Sequence, residues 1–295
     1  DLTEAALCAA IARHCGVQPE NILCGNGSDE NLLLALRAFC DETHPLAFAD
    51  ITYSFYPVLC DLLHIPQHVI LVEEDFSLDL SKYHGLNETI VIANPNAPTT
   101  LQPVAAIEEV VRINPDSIVI VDEAYIDFAG PNASCVPLTK KYDNVIVVQT
   151  FSKSHNLAGA RVGFCVANPA LIADMNRIKF SYSPYNVNSL SQAAAVAAME
   201  DENYFRDTVG KICATRADTM TKLRERGFTG PDSATNFLFV TTSRMPCKQI
   251  FERLRQKGVL IRYFSAPRLS DYLRITIGTP EQMQRFFEEL DLILG

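Results

Sequence analysis

Six short, wholly apolar runs constrain the first half of this chain more than any other feature: residues 22–24, 46–48, 69–72, 90–93, 118–121 and 145–148. A strand with one wet face alternates apolar and polar residues, so a run without alternation belongs to a sheet covered on both faces, as parallel sheets are. Helix-like stretches at 30–39, 56–63 and 104–112 lie between several of the runs. This alternation predicts an α/β domain with a largely parallel sheet. The unusual polar segments follow the same plan. GNGSDE (25–30) comes after the first run, NPNAPTT (94–100) after the fourth, DEAY (122–125) after the fifth and TFSKS (150–154) after the sixth. They therefore gather at the carboxyl ends of strands, where open α/β sheets bind ligands.

From residue 188 the pattern turns helical, with an alanine-rich segment to 199 and a charged amphipathic stretch over 204–226 that Gly227 can end. Strand-like runs at 237–240, 259–261 and 273–277 follow, with two helices. The last helix opens on Thr279, Pro280 and Gln282, a capping box with proline at the first helical position. The expected organisation is a large domain over 1–203 and a small α+β domain over 204–295, joined by the 204–226 helix. A chain of 295 residues with 48% hydrophobic content can supply cores for both.

Composition excludes several roles. Acidic residues outnumber basic ones, 35 to 25, giving a net charge of −10, and no basic run could follow a phosphate backbone, so nucleic acid is not an expected partner. Nine cysteines stand singly, without a CxxC pair. That usage suits a reducing cytoplasm and supports neither a disulfide scaffold nor a structural zinc. No apolar run reaches the ~18 residues of a membrane span, and no secretory leader is visible. The sequence opens at Asp1 without methionine and enters directly a helical pattern of Leu2, Ala5, Ala6, Ala9 and Ile11, from which a missing leading segment is expected.

Several residues carry potential chemistry, each with a plainer alternative. Lys153 follows a buried strand and is flanked by the hydroxyls of Thr150, Ser152 and Ser154. Partial desolvation there would make its amine a competent nucleophile, whereas a lone loop lysine is ordinarily solvated. Arg161, eight residues on, could hold a phosphate by charge-assisted hydrogen bonds or simply form a surface ion pair. Asp122 ends an apolar strand, where an unpartnered charge is costly, so it needs a cationic partner, a turn to cap or an arginine. In GNGSDE, backbone amides of Gly27, Ser28 and Asp29 at a helix start could cradle a phosphate, or Ser28 or Asp29 could be a simple cap. The segment lacks GxGxxG spacing and GK[ST], which sets aside dinucleotide and P-loop readings. NPNAPTT offers two X-Pro bonds, one of which could be cis, or is an ordinary polar turn. Tyr53 could stack on an aromatic ring or fill core. Arg262 and Arg274 lie in strand-like apolar surroundings and want an anion, from a ligand or from an internal salt bridge.

Taken in order, GNGSDE, NPNAPTT, DEAYIDF, TFSKSHNLAGARVGF, GVLIRYF and YLRITIGT resemble the fold-type-I pyridoxal-phosphate enzymes, and among them the histidinol-phosphate aminotransferase family. The likeness runs from Asp1 to the C-terminus. It implies a large domain with a mostly parallel seven-stranded sheet and a small α+β domain. It also implies pyridoxal 5'-phosphate joined to Lys153, with Asp122 on the pyridine nitrogen, Tyr125 on the phenolic oxygen and Tyr53 stacked on the ring. Gly27, Ser28, Asp29, Thr150, Ser152 and Arg161 would hold the phosphate. Arg274 would take the substrate α-carboxylate and Arg262 the distal phosphate of histidinol phosphate, with 2-oxoglutarate as amino acceptor. Metal is not implied, and a cytoplasmic homodimer is. The family places asparagine before PTG to contact the phenolic oxygen. Ala97 stands there in this chain, with Thr100 in place of the glycine, and Asn96 is the expected substitute. Members also carry an N-terminal arm and, just before this sequence begins, a tyrosine that reaches the neighbouring subunit's cofactor. The nearest rivals are an aromatic aminotransferase and a phosphothreonine-type decarboxylase of the same fold. From a different class, a catalytically silent cofactor-binding regulatory module is the alternative, and a nicotinamide oxidoreductase is disfavoured by the absent GxGxxG.

Overall fold

The structure is a computed structural model that describes residues 3–98 and 100–295. Leu2 of the first helical pattern and Thr99 of NPNAPTT lie outside the described residues. The apolar runs form strands β1 (Ile22–Gly25), β2 (Leu46–Ala49), β3 (Gln67–Ile70), β4 (Thr89–Ala93), β5 (Val119–Asp122) and β6 (Val145–Thr150). A seventh strand, β7 (Gly163–Ala167), completes one sheet in the order β1-β7-β6-β5-β4-β2-β3. The pairs from β6 through β5, β4 and β2 to β3 are parallel, while β7 is antiparallel to both β6 and β1. Two reversals leave β1 pointing the same way as β6, so six carboxyl ends share one edge of the sheet.

Every residue of β1, β2, β4, β5 and β7 is buried, as continuous apolar runs demand. Helices α1 (Ala5–Cys15), α2 (Ser28–Phe39), α3 (Phe55–Leu63), α4 (Val104–Ile113), α5 (Pro169–Tyr182) and α6 (Ser189–Glu200) accompany this sheet. Two apolar clusters form, one holding Ile11, Ile92, Ile107, Val121 and Phe151, the other Leu34, Phe48, Tyr56, Ile146 and Met175. Alternate residues of β5 and β6 go to opposite clusters: Val121 and Val147 to the first, Ile120 and Ile146 to the second. That is the period-two division of a sheet covered on both faces.

Helix α7 (Glu202–Glu225) is 24 residues long and stops two residues before Gly227, whose φ of 80° ends it as expected. Beyond it an antiparallel sheet runs in the order β10-β11-β9-β8, from β8 (Phe228–Thr229), β9 (Phe237–Thr242), β10 (Arg262–Tyr263) and β11 (Leu273–Thr276). Helices α8 (Cys247–Gln256) and α9 (Pro280–Leu294) pack on it around Leu254, Phe286, Phe287 and Leu290. Thr279 and Gln282 form the capping box over Pro280. The strand expected at 259–261 is not formed. Pairing begins instead at Arg262, opposite Arg274. No helix is long and apolar enough to cross a membrane among the described residues.

Candidate active site

The shared strand ends open into a cavity of about 650 Å3 whose walls come from both sheets. Ser28, Asp29, Tyr53, Asp122, Tyr125 and Lys153 line it from the large sheet, together with Thr150, Ser152 and Arg161. From the small sheet come Phe237, Phe239, Arg262 and Arg274, and from the residue after β10 comes Phe264. A second cleft of about 680 Å3, lined by Asp75, Ser77, Thr100, Gln102 and Asp232 among others, contains no lysine, arginine or histidine. Cationic and nucleophilic groups thus converge on the first.

One corner is built for close approach. Gly27, at φ 83°, precedes α2 and brings no side chain to cap it, so the orphan amides of the first turn have no side-chain acceptor there. A Cβ on Gly27 would lie 2.4 Å from Arg161 Nη2, and one on Gly163 would lie 2.3 Å from Ser28 N. Only glycine fits either place. Arg161, itself in the left-handed region at φ 54°, lies over Gly27 and reaches Asp29 Oδ2 at 3.4 Å. Tyr53 donates to the other oxygen of Asp29 at 2.9 Å. The Asp29 carboxylate is therefore occupied, and this residue can offer an anion only its backbone. Thr150 and Ser152 join through their hydroxyls at 3.0 Å on the same side.

At the centre, Asp122 is only 4% exposed. Burial pushes its carboxyl up to about 6, with the charge of Asp29 adding to the rise, while hydrogen bonds from Tyr56 and the Ala124 amide and the charge of Lys153 pull the other way. The Tyr56 hydroxyl donates to Asp122 Oδ2 at 2.7 Å, and Ala124 N to Oδ1 at 3.2 Å. Lys153 is half-buried, and its Nζ stands 5.3 Å from the centre of the Tyr125 ring. Its loop is tied down on the next residue: Ser154 donates to Asp127 and pairs with His155 Nδ1 at 3.2 Å.

The opposite wall is cationic. Arg262 and Arg274 are register partners on β10 and β11, and among the described residues neither has a carboxylate within ion-pair distance. Arg274 rests over Phe237 at 5.0 Å and Phe264 at 5.6 Å, and its buried Nε has no hydrogen-bond partner. Burial, with Arg262 beside it, holds this guanidinium below its ordinary range. Two guanidiniums against aromatic faces, with no acidic partner among the described residues, leave their donors able to take an anion.

The family of aminotransferases of class I and II matches residues 2–290 of this sequence. The chain belongs to that family. Over 285 residues it is 44% identical to histidinol-phosphate aminotransferase of Brachyspira hyodysenteriae, covering 96% of this chain and 80% of the relative. It is 45% identical over 287 residues to histidinol-phosphate aminotransferase 1 of Hydrogenovibrio crunogenus, covering 97% and 80%. Among solved structures, histidinol-phosphate aminotransferase from Sinorhizobium meliloti in complex with pyridoxal-5'-phosphate superposes with a TM-score of 0.91 at 24% identity, covering 100% of this chain and 82% of that one. L-threonine-O-3-phosphate decarboxylase from Porphyromonas gingivalis does so with a TM-score of 0.84 at 24% identity, covering 99% and 89%. These two likenesses bear on the fold alone, and they show it hosting different reactions.

In this aminotransferase the fold-type-I architecture expected from the motifs is present, and the residues expected to hold cofactor or substrate, Asn96 excepted, meet at the cavity or its Gly27 corner. Asn96 is the exception and corrects an expectation. It is fully buried, donates to Ile51 O at 2.9 Å and accepts from Thr52 Oγ1 at 2.6 Å, and is not among the cavity-lining residues. Ala97 faces the cavity in its place, so the Asn94–Ala97 segment presents a methyl group where the expected substitute was an amide. The Asn94–Pro95 bond is cis. Tyr56 and the aromatic wall of Phe237 and Phe264 were not singled out from sequence. A phenol inside the apolar helix segment FYPVLCDLL is a usable signal for Tyr56, because a buried hydroxyl requires a partner. Among the described residues no cluster of three or more His, Cys, Asp or Glu side chains could hold a metal.

Proposed function

We propose that this aminotransferase carries pyridoxal 5'-phosphate on Lys153 and moves the amino group of histidinol phosphate to 2-oxoglutarate. One observation carries the proposal: a single cavity brings Lys153 and buried Asp122 together with Arg262 and Arg274, neither of which has an acidic partner among the described residues. The residues fit the cofactor. The glycine-lined corner at Gly27, with the uncapped start of α2 and Arg161, suits its phosphate. Asp122 suits a ring nitrogen that must stay protonated. Curated relatives named for this activity, at 44% and 45% identity, support the choice of substrate.

When bound, the cofactor supplies an aldehyde and an electron-withdrawing ring. The protein supplies everything else. Asp122 would hold the protonated ring nitrogen, Tyr125 the phenolic oxygen and Tyr53 a face of the ring, all three lining the one cavity. Lys153 Nζ, in the same cavity, would serve as the base that takes a proton from the substrate Cα. Arg274 holds an α-carboxylate, as 2-oxoglutarate or glutamate requires, and Arg262 the more distal anion, including the phosphate of histidinol phosphate. Both substrates must use the same pair of arginines in turn, because one cavity serves both halves of the cycle. A division into residues 1–203 and 204–295, a homodimer and a cytoplasmic location belong to the same proposal.

The test is a spectral and product assay on the cofactor-loaded protein. Histidinol phosphate is expected to bleach the lysine-linked absorbance and 2-oxoglutarate to restore it. Faster turnover of phenylalanine would reassign the enzyme to aromatic amino acids, and carbon dioxide release from phosphothreonine to decarboxylation. A band that no donor changes would mark a binding module without turnover.

A further inference from the structure

Asp122 is a carboxylate buried at a strand end with one side-chain hydrogen-bond partner, and that partner is a phenol from a helix far away in sequence. Tyr56 sits on the first turn of α3 and is 1% exposed. Its ring is fixed edge-on against Phe48 at 6.1 Å and Tyr53 at 5.6 Å. The charged groups that act on Asp122 are Asp29 at the start of α2 and Lys153 after β6, and the same cavity is lined by Tyr53, Tyr125, Arg161, Arg262 and Arg274. Asp29 is engaged by Tyr53 and Arg161, and no lysine or arginine comes within ion-pair distance of Asp122 among the described residues. Among the described residues only the Tyr56 hydroxyl and the Ala124 amide hydrogen-bond the carboxylate and so fix its orientation.

We infer that Tyr56 is a positioning residue that keeps Asp122 ionised and turned toward the cavity, and so sets the pH range over which the cofactor ring is gripped. The inference rests on the reading of Asp122 as the partner of the ring nitrogen. Its physical basis is that a hydroxyl donating to a carboxylate stabilises the charged form only, opposing the burial that favours the neutral acid. A neutral Asp122 could not hold a protonated ring nitrogen. Tyr56→Phe deletes the donor and retains the ring that packs on Phe48 and Tyr53.

Cofactor affinity is measured by fluorescence titration between about pH 5 and 8.5 for the wild type, Tyr56→Phe, Asp122→Asn and the double variant. Removing one charged hydrogen bond is expected to weaken binding about tenfold near neutrality and to move the acid limb of the affinity profile up by about one pH unit. In the Asp122→Asn background the same substitution is expected to change neither. Isotope-edited infrared spectra of the apoprotein read the Asp122 carboxyl directly, and its titration is expected to move upward in Tyr56→Phe. An unchanged titration and affinity profile, or a loss of equal size in both backgrounds, overturns the inference and leaves Tyr56 as packing. If Asp122→Asn alone binds with wild-type affinity and spectrum, the assignment of Asp122 itself fails, an outcome distinct from the others.

Discussion

Two adjacent carboxyls, Asp122 and Glu123, enter the interior at the end of β5 and meet different donors. Glu123 is 1% exposed and accepts from Ser134 and Gln149 at 2.7 Å and from the Cys135 amide at 2.5 Å. Burial nevertheless pushes Glu123 up to about 7, as it does Asp122 to about 6. A folded-state value above the unfolded one means that the fold disfavours ionisation. The stability contributed is complete below the unfolded value, and it is lost as pH rises through the folded one. His155, which burial holds down to about 4, works oppositely, its contribution being lost as pH falls below its ordinary 6.5. Glu123→Gln is therefore expected to gain stability relative to the wild type as pH rises from about 4.5 to beyond 7, by a few kcal/mol in all. Denaturant melts of the apoproteins across that range measure it, and parallel curves would refute it. Lys153→Ala is expected to lose the lysine-linked absorbance and on the order of 10^3-fold in turnover. Arg274→Lys, which cannot reproduce a bidentate fork, is expected to lower kcat/KM for 2-oxoglutarate about tenfold or more. A lysine variant with wild-type KM for the oxo acid would place the carboxylate elsewhere. The residues most legible in sequence were those whose polarity contradicts their surroundings, such as Asp122 after VIV or Arg274 between Leu273 and Ile275. Asn96 was misjudged because sequence adjacency does not say which of two neighbours in a tight turn faces the cavity.

Among the elements, β7 shows what a motif can conceal. Its first two residues, Gly163 and Phe164, end the motif that holds Lys153, which hides a strand, GFCVA, as apolar as any other here. The half-exposed edge strand β3 spans 67–70 where 69–72 was expected, because an edge carries less burial information than an interior strand. Helix α5 leaves little trace in the sequence for a related reason, since its buried residues are only Ile172, Met175 and Lys179 and form no sharp apolar stripe. Gly163 joins these matters to the site. It pairs with Gly25 on one side and Thr150 on the other, and its missing side chain lets α2 begin against β7. Gly163→Ala is expected to destabilise by about 1–3 kcal/mol through the forced shift of the Ser28 backbone. Weakened cofactor binding should accompany it. Thermal melts with and without cofactor separate the two effects, and a smaller shift on cofactor addition than in the wild type is the expected signature.

For the whole molecule, the decisive relation is the seating of the antiparallel sheet on the parallel one. Phe76 of the large sheet's side lies edge-on to Phe239 at 5.5 Å and Tyr272 at 5.1 Å, and these two rings stack at 4.6 Å. Arg268 donates across the same junction to Val72 O at 3.3 Å and Asp50 Oδ2 at 3.4 Å, and Arg216 of α7 donates to Phe128 O at 3.2 Å. Phe76→Ala is expected to cost about 3 kcal/mol in stability and to raise KM for anionic substrates severalfold while the lysine-linked cofactor band persists. An unchanged KM would show that another contact sets the spacing of the two sheets. In the proposed mechanism the reacting amine and its acid, Lys153 and Asp122, stand at strand ends of one sheet, and the anion-binding guanidiniums, Arg262 and Arg274, stand on the other. Changes confined to the last forty residues can thus alter which molecules are admitted while leaving bond-making untouched, so selectivity and reactivity can be inherited and redesigned separately.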